Sequence, residues 1–354
     1  MADVTETHTL TQLGQPAEIP ASPDDAVLEK VANPHPSKTY LVRFVCPEAG
    51  DAAQLMRAIR FSHLIFARQW AVGSWLDVDP EDRITPIITA CAQGPIASEL
   101  WLETADTNDG KALAALTKKL RAPLERSLTK TRFVRPNKTD LPRLHLCFES
   151  GQRIFVGWSW ADNAAPWPMG IPRFRVPKDA PSRSTLKLEE AWHHFIPRDD
   201  WDSRLKAGMT AVDLGAAPGG WTWQLVNRLM NVIAVDNGPM DRKLMDSGQV
   251  EHIQADGYMY KPKYMVDWMV CDIVDKPARS SALVSKRIGQ RLCREVIISC
   301  QLPIKRRYQE TMQCLEHIQD ALDEAGIKAE ISCKQLYSDR EEVTCHVRAA
   351  PRGY

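Results

Sequence analysis

The sequence predicts an α/β protein in which a parallel, helix-covered sheet fills the C-terminal half and a mixed α+β region precedes it. Three observations carry this. From about residue 180, short apolar runs alternate with helical stretches, the pattern of a parallel sheet wrapped by its own connections. The runs at Ala211–Leu214, Asn231–Val235, His252–Ala255 and Trp268–Cys271 carry aspartates at or just past their ends: Asp213, Asp236, Asp256 and Asp272. A glycine-rich turn, Gly215-Ala-Ala-Pro-Gly-Gly220, follows the first run. At 354 residues the chain exceeds one comfortable core, so at least two domains are expected.

In chain order, residues 1–37 are polar, proline-bearing and weakly periodic, which reads as a flexible tail. Residues 38–160 form the α+β region: a strand over Lys38–Cys46, a helix over Asp51–Ser62, an apolar mixed segment over Leu64–Ser74, a helix over Gly110–Ser127 and an alternating strand over Arg143–Glu149. Residues 161–179, rich in proline with Trp167 and Phe174 interspersed, read as a connector. The α/β domain then covers 180–354, with strands near 210, 232, 252, 268 and 296, a helix over Tyr308–Ala325, and final runs at Lys328–Leu336 and Val343–Arg348.

The turn holds the chemistry. Gly215 permits a sharp reversal at the strand end, Gly219 and Gly220 allow close approach to the main chain, and the following segment has helical spacing. A lone glycine pair is more often a plain strand-to-helix turn. Here Asp236 lies about twenty residues after Gly215, where an acid commonly receives ribose hydroxyls. Four acids at one sheet edge suit a ligand rich in hydroxyl and amino groups. The rival is a nicotinamide dinucleotide, whose pyrophosphate needs G-x-G-x-x-G over a helix N-terminus. Residues Ala216, Ala217 and Pro218 between the glycines, with an acidic rim, fit a cofactor without phosphates, and S-adenosylmethionine meets that description.

Composition excludes several classes. No apolar stretch is long enough to span a bilayer, and the N-terminus lacks a basic start and apolar centre, so a cytoplasmic location is expected. The nine cysteines lack C-x-x-C pairs and the nine histidines lack H-E-x-x-H spacing, so neither a disulfide framework nor a metal site is expected. Net charge is zero, yet Lys118, Lys119, Arg121, Arg126, Lys130, Arg132, Arg135 and Lys138 crowd one stretch. Such a run is commonly a solvated face and is also what phosphate contacts need.

Long stretches carry a family resemblance: Ala180-Pro-Ser-Arg-Ser-Thr-Leu-Lys-Leu-Glu-Glu190, Val235-Asp-Asn-Gly-Pro-Met240, Leu244-Met-Asp-Ser-Gly-Gln-Val250, Trp268-Met-Val-Cys-Asp272 and Gln335-Leu-Tyr-Ser-Asp-Arg-Glu-Glu-Val-Thr344. With Leu64–Trp70, Pro80–Pro86 and Met169–Pro172, they resemble the bacterial ribosomal RNA large-subunit methyltransferase M family from about residue 60 onward. The Cys-Arg-Pro-Gly-Phe-Glu type of segment with which that family begins is absent from residues 1–50. The resemblance implies a Rossmann-like class I methyltransferase sheet with an antiparallel final strand, and an N-terminal THUMP-type RNA-binding half. It implies S-adenosylmethionine-dependent methylation of a cytidine ribose 2′-hydroxyl in large-subunit ribosomal RNA, by a monomer, before ribosome assembly. It places cofactor contacts on Ser184, Ala217, Pro218, Gly219, Gly220, Asp236, Asp256 and Asp272, beside the Asp213 and Gly215 already selected. For Ser184 an ordinary helix cap is an equal reading.

The same resemblance implies a catalytic Lys-Asp-Lys-Glu group, in which a lysine of lowered pKa takes the hydroxyl proton. Lys187, Asp272 and Glu342 supply three members. Where the family has the central lysine, immediately before Leu-Pro, this chain has Gln301. Glutamine exchanges hydrogen bonds but is no base near neutral pH. Three readings follow: a slow enzyme; another basic residue, Lys305, Arg306 or Lys187, that approaches the hydroxyl; or an inactive RNA-binding form that keeps the cofactor pocket. On residues alone, Lys187 is a solvated helix lysine and Glu342 an edge-strand charge.

Overall fold

The computed structural model describes residues 8–11, 42–45 and 56–350. The chain divides into two compact units, Met1–Pro172 and Arg173–Tyr354, with the division inside the proline-rich 161–179 stretch.

In the first unit, β1 (His8–Thr11) pairs in parallel with β2 (Val42–Val45). The stretch read as a tail therefore holds a strand, too short at four residues to show a period; the rest of 1–37 lies outside the described residues. There follow β3 (Val72–Asp77), α1 (Ile84–Cys91), β4 (Glu99–Thr104), α2 (Asn108–Ala112), α3 (Ala114–Lys130), β5 (Arg143–Phe148) and β6 (Arg153–Ser159). The last four strands form a sheet in the order β3-β6-β5-β4, with only β4 and β5 parallel. Alternation on β5 sends Leu144, Leu146 and Phe148 to one face, where they meet Leu124 and Leu128 of α3, all nearly fully buried. The opposite face carries a buried polar chain, in which His145 Nδ1 lies 2.7 Å from Glu103 Oε2 and its Nε2 2.7 Å from Ser159 Oγ. The leucine stripe turns the basic residues of α3 outward, and all eight cations of the 118–138 run are exposed.

The second unit contains α4 (Thr185–Phe195), α5 (Trp201–Arg204), β7 (Thr210–Leu214), α6 (Gly220–Asn227), β8 (Asn231–Val235), α7 (Arg242–Asp246), β9 (Val250–Ile253), β10 (Val266–Cys271), α8 (Pro277–Gly289), β11 (Cys293–Gln301), α9 (Arg307–Glu324), β12 (Ala329–Lys334) and β13 (Glu342–Ala349). Its sheet runs β12-β13-β11-β10-β7-β8-β9. β9 through β11 are parallel, and β13 is antiparallel to both its neighbours. Trp192 and Leu188 of α4 and Leu225 of α6 pack on Trp268, Val270 and Ile297 to make the core. From β7 the chain moves outward through β8 and β9, then returns to place β10 and β11 on the other side of β7. The reversal between β7 and β10 is the topological switch point, where open α/β sheets leave a crevice at the strands' carboxyl ends. Asp272, Asp213, Asp236 and Asp256 stand in that spatial order along this edge.

Candidate active site

Past β7, Gly215 takes a left-handed conformation (φ 76°) that turns the chain at once, and a side chain there would strike Ile273. Gly220 serves packing: an added Cβ would lie 2.4 Å from Ser182 Oγ and 2.1 Å from Ser184 Oγ. The glycine lets the start of α4 press against the turn.

A cavity of about 260 Å³ opens at the switch point, walled by Ser182, Ser184, Asp213, the 215–218 turn, Trp221 and Asp272. Two buried wall atoms have no hydrogen-bond partner among the described residues: Asp213 Oδ1 and Trp221 Nε1. The other Asp213 oxygen accepts from Thr222 Oγ1 at 2.6 Å. Burial pushes the Asp213 carboxyl up to about 7, against the Thr222 bond and with the help of the neighbouring Asp272 charge. An unpaired acceptor and an unpaired donor in one wall match an α-amino acid group, which brings an ammonium and a carboxylate. Ser184 stands at the N-cap of α4 but makes no capping bond; its hydroxyl meets Ser182 Oγ at 2.6 Å in the cavity wall. Asp236 binds the turn, accepting from Ala217 N at 3.0 Å and Gly238 N at 2.7 Å, and Asp256 accepts from Tyr258 N at 2.8 Å.

Beside Asp272, α4 delivers Lys187. Its Nζ lies 2.8 Å from Asp272 Oδ1, 2.9 Å from Glu342 Oε2 and 3.3 Å from Asp339 Oδ2. Burial works against the ammonium, but Asp272 and Glu342 outweigh it and hold Lys187 above its ordinary pKa. Burial raises both carboxyls, with Lys187 opposing the rise. Lys187 is therefore a fixed cation, and a poor candidate for the base that removes a proton. Gln301, the last residue of β11, pairs directly with Glu342 of β13, and its Nε2 reaches the Glu341 carbonyl at 3.5 Å. Directly opposed side chains stand about 5 Å apart at Cβ, so a lysine at 301 would join the same group.

Family models match the chain in three places: FtsJ-like methyltransferase at residues 180–307, the N-terminal model of ribosomal RNA large subunit methyltransferase M at 82–160, and the RlmM ferredoxin-like domain at 16–71. Ribosomal RNA large subunit methyltransferase M of Stutzerimonas stutzeri is 59% identical over 306 residues, covering 86% of this chain and 87% of that protein. The protein of the same name from Ectopseudomonas mendocina is 56% identical over 305 residues, with the same coverage. The chain belongs to the ribosomal RNA large subunit methyltransferase M family.

Among the residues this family pattern singles out, the structure joins Lys187, Asp272 and Glu342 in one hydrogen-bonded group and sets Gln301 beside it. Asp213, Ser184 and the 215–218 turn share the cavity with Asp272, while Asp236 and Asp256 brace turns along the same edge. The ferredoxin-like match begins at residue 16, inside the stretch read as a tail; its prolines and polar composition masked it. Sequence reasoning passed over Asp339, Ser182 and the Trp221 indole nitrogen. Trp221 closes the glycine motif and Asp339 lies in a matched stretch, but side-chain direction decided both.

Proposed function

We propose that this chain transfers a methyl group from S-adenosylmethionine to a cytidine ribose 2′-hydroxyl in large-subunit ribosomal RNA, acting as a cytoplasmic monomer on RNA not yet assembled into ribosomes. Family membership supports the reaction class, and the observation that carries the site is the cavity at the switch point whose wall residue Asp272 is bonded to Lys187. The residues fit the donor: Asp213 Oδ1 and Trp221 Nε1, buried without a partner in wall residues, would pair with its ammonium and carboxylate, and Asp236 and Asp256, farther along the same edge, would receive ribose hydroxyls and base amino groups. When bound, the donor would supply an electrophilic methyl group on a sulfonium, whose sulfur leaves as a neutral thioether when the ribose oxygen takes the methyl and the hydroxyl proton passes to solvent.

The chain's own work is positioning and charge. Asp272 belongs to both the cavity wall and the Lys187 group, so one side chain links the cavity to that group. Lys187, held as an ammonium by its three carboxylates, supplies positive charge beside Asp272 that would stabilise negative charge on the hydroxyl oxygen. Gln301 orients the hydroxyl through its amide but takes no proton, so the chain turns over slowly, by about 10²- to 10⁴-fold relative to a form with a general base. The exposed cations of α3 suit an RNA phosphate backbone.

A second reading, an RNA-binding protein that keeps the donor pocket without turnover, is favoured by Gln301 alone. Incubation with labelled donor and unmodified large-subunit RNA, followed by mapping of alkali-resistant linkages, tests the assignment. One resistant linkage at a cytidine supports it. Donor binding with no labelled RNA after prolonged incubation favours the second reading, and absence of donor binding removes both.

A further inference from the structure

We propose that Glu190 is the positioning residue for the acidic half of this site, acting through the turn at residues 337–339; the proposal rests on the methyl-transfer reading above. Glu190 lies on α4 one turn after Lys187 and is 1% exposed. Its carboxylate accepts from Tyr337 N at 2.7 Å, Ser338 N at 2.9 Å and Ser338 Oγ at 2.6 Å. A buried acid outside the reaction, with both oxygens spent on one short turn, is a clamp. Burial opposes its charge, but His194, Ser338 and the Tyr337 amide keep its carboxyl below the usual range.

What the clamp holds is the chain that reaches Lys187. Asp339, the residue after the clamped pair, places Oδ2 3.3 Å from Lys187 Nζ, while its Oδ1 accepts from Glu341 N at 3.0 Å. Glu342 then opens β13 with Oε2 2.9 Å from the same Nζ. Residues 335–341, between β12 and β13, form no helix or strand, so no ladder sets the path of this connection. One helix therefore presents the cation and, one turn on, fixes the loop that supplies Asp339, one of its three carboxylates. The distance between Lys187 and Asp339 is thus set from α4, whereas Glu342 is held by its pairing with Gln301 of β11.

Glu190→Gln and Ser338→Ala test this, beside Glu295→Gln as a buried-charge control; Glu295 bonds Arg204 and His346 at the amino end of β11. All are made in the full chain and again with Gln301→Lys. Two readouts are taken: the ¹⁵N resonance of the Lys187 ammonium, and the split between kcat and the donor KM. The expected result is a shifted or exchange-broadened Lys187 signal in Glu190→Gln, a smaller change in Ser338→Ala and none in Glu295→Gln. With lysine at 301, kcat falls by about 10²-fold in Glu190→Gln at unchanged donor KM, the loss that misplacement by about 1 Å brings. A Lys187 signal that stays put in both Glu190→Gln and Ser338→Ala overturns the proposal, as does an equal shift in Glu295→Gln. If Glu190→Gln does not fold, Ser338→Ala alone decides by the same signal. The resonance is read without turnover: its shift in a chain that never methylates RNA upholds the clamp and removes the methyl-transfer reading.

Discussion

Replacing Lys187 by methionine takes the one ammonium from between Asp272 and Glu342, whose side chains are 15% and 6% exposed. Breaking a buried pair by deleting one partner costs about 3–5 kcal/mol, because the partner left behind is an uncompensated buried charge. Here two buried carboxylates are left, with the more exposed Asp339 beside them, and the buried pair have a way out by binding a proton. The folded pKa of Lys187 lies above its ordinary value of 10.5, so its stabilisation is complete below that pH and lost only as pH rises through the higher folded value; between pH 5 and 8 it is constant. Asp272 and Glu342 have raised folded pKa values, so their contribution is greatest in acid and is lost as pH rises through those values. Removing Lys187 raises them further. The stability deficit of Lys187→Met therefore grows from pH 5 to pH 8, by roughly 1.4 kcal/mol per pH unit wherever the variant holds one more proton than the parent. Urea titrations of parent and variant at several pH values, followed by tryptophan fluorescence, measure it. Equal deficits at pH 5 and pH 8 would refute the idea that the ammonium compensates these acids.

Three further outcomes are expected. Asp213→Asn removes a carboxyl that burial raises to about 7: its folded form favours the proton, so its contribution is largest below about pH 4 and is lost as pH rises toward 7. The variant gains stability relative to the parent across that window yet binds the donor more weakly, by about 2 kcal/mol, which urea titration and calorimetry measure separately. Trp221→Phe deletes the unpaired Nε1 donor while keeping the apolar ring, and is expected to weaken donor binding by about 1–2 kcal/mol with little change in melting temperature. Glu190→Gln is expected to lower kcat and leave the donor KM alone.

Much of the second unit was legible because its signals are local. Each parallel strand is a short apolar run, and Gly215 and Gly219 sit where the backbone needs positive φ, so both strand and turn show in consecutive residues. Asp213 and Asp272 were recognisable as strand-end acids for the same reason. The Lys187 group was not legible from spacing, since 85 residues separate Lys187 from Asp272 and 155 separate it from Glu342. On its own helix Lys187 looks like any surface lysine; only the sheet order brings the three together. Asp236 and Asp256 show the reverse case, acids whose position was readable while their bonds to Ala217 N and Tyr258 N were not. Short polar segments hid most, as β1 did inside a stretch that reads as a tail.

With the donor pocket intact, Gln301 alone is expected to limit turnover. Single-turnover methyl transfer to unmodified large-subunit RNA, at saturating labelled donor, compares the chain with Gln301→Lys most directly. Equal donor affinity is expected, with a rate higher by about 10²- to 10⁴-fold in the lysine form. Equal rates in the two forms, or a gain explained wholly by tighter donor binding, would contradict it.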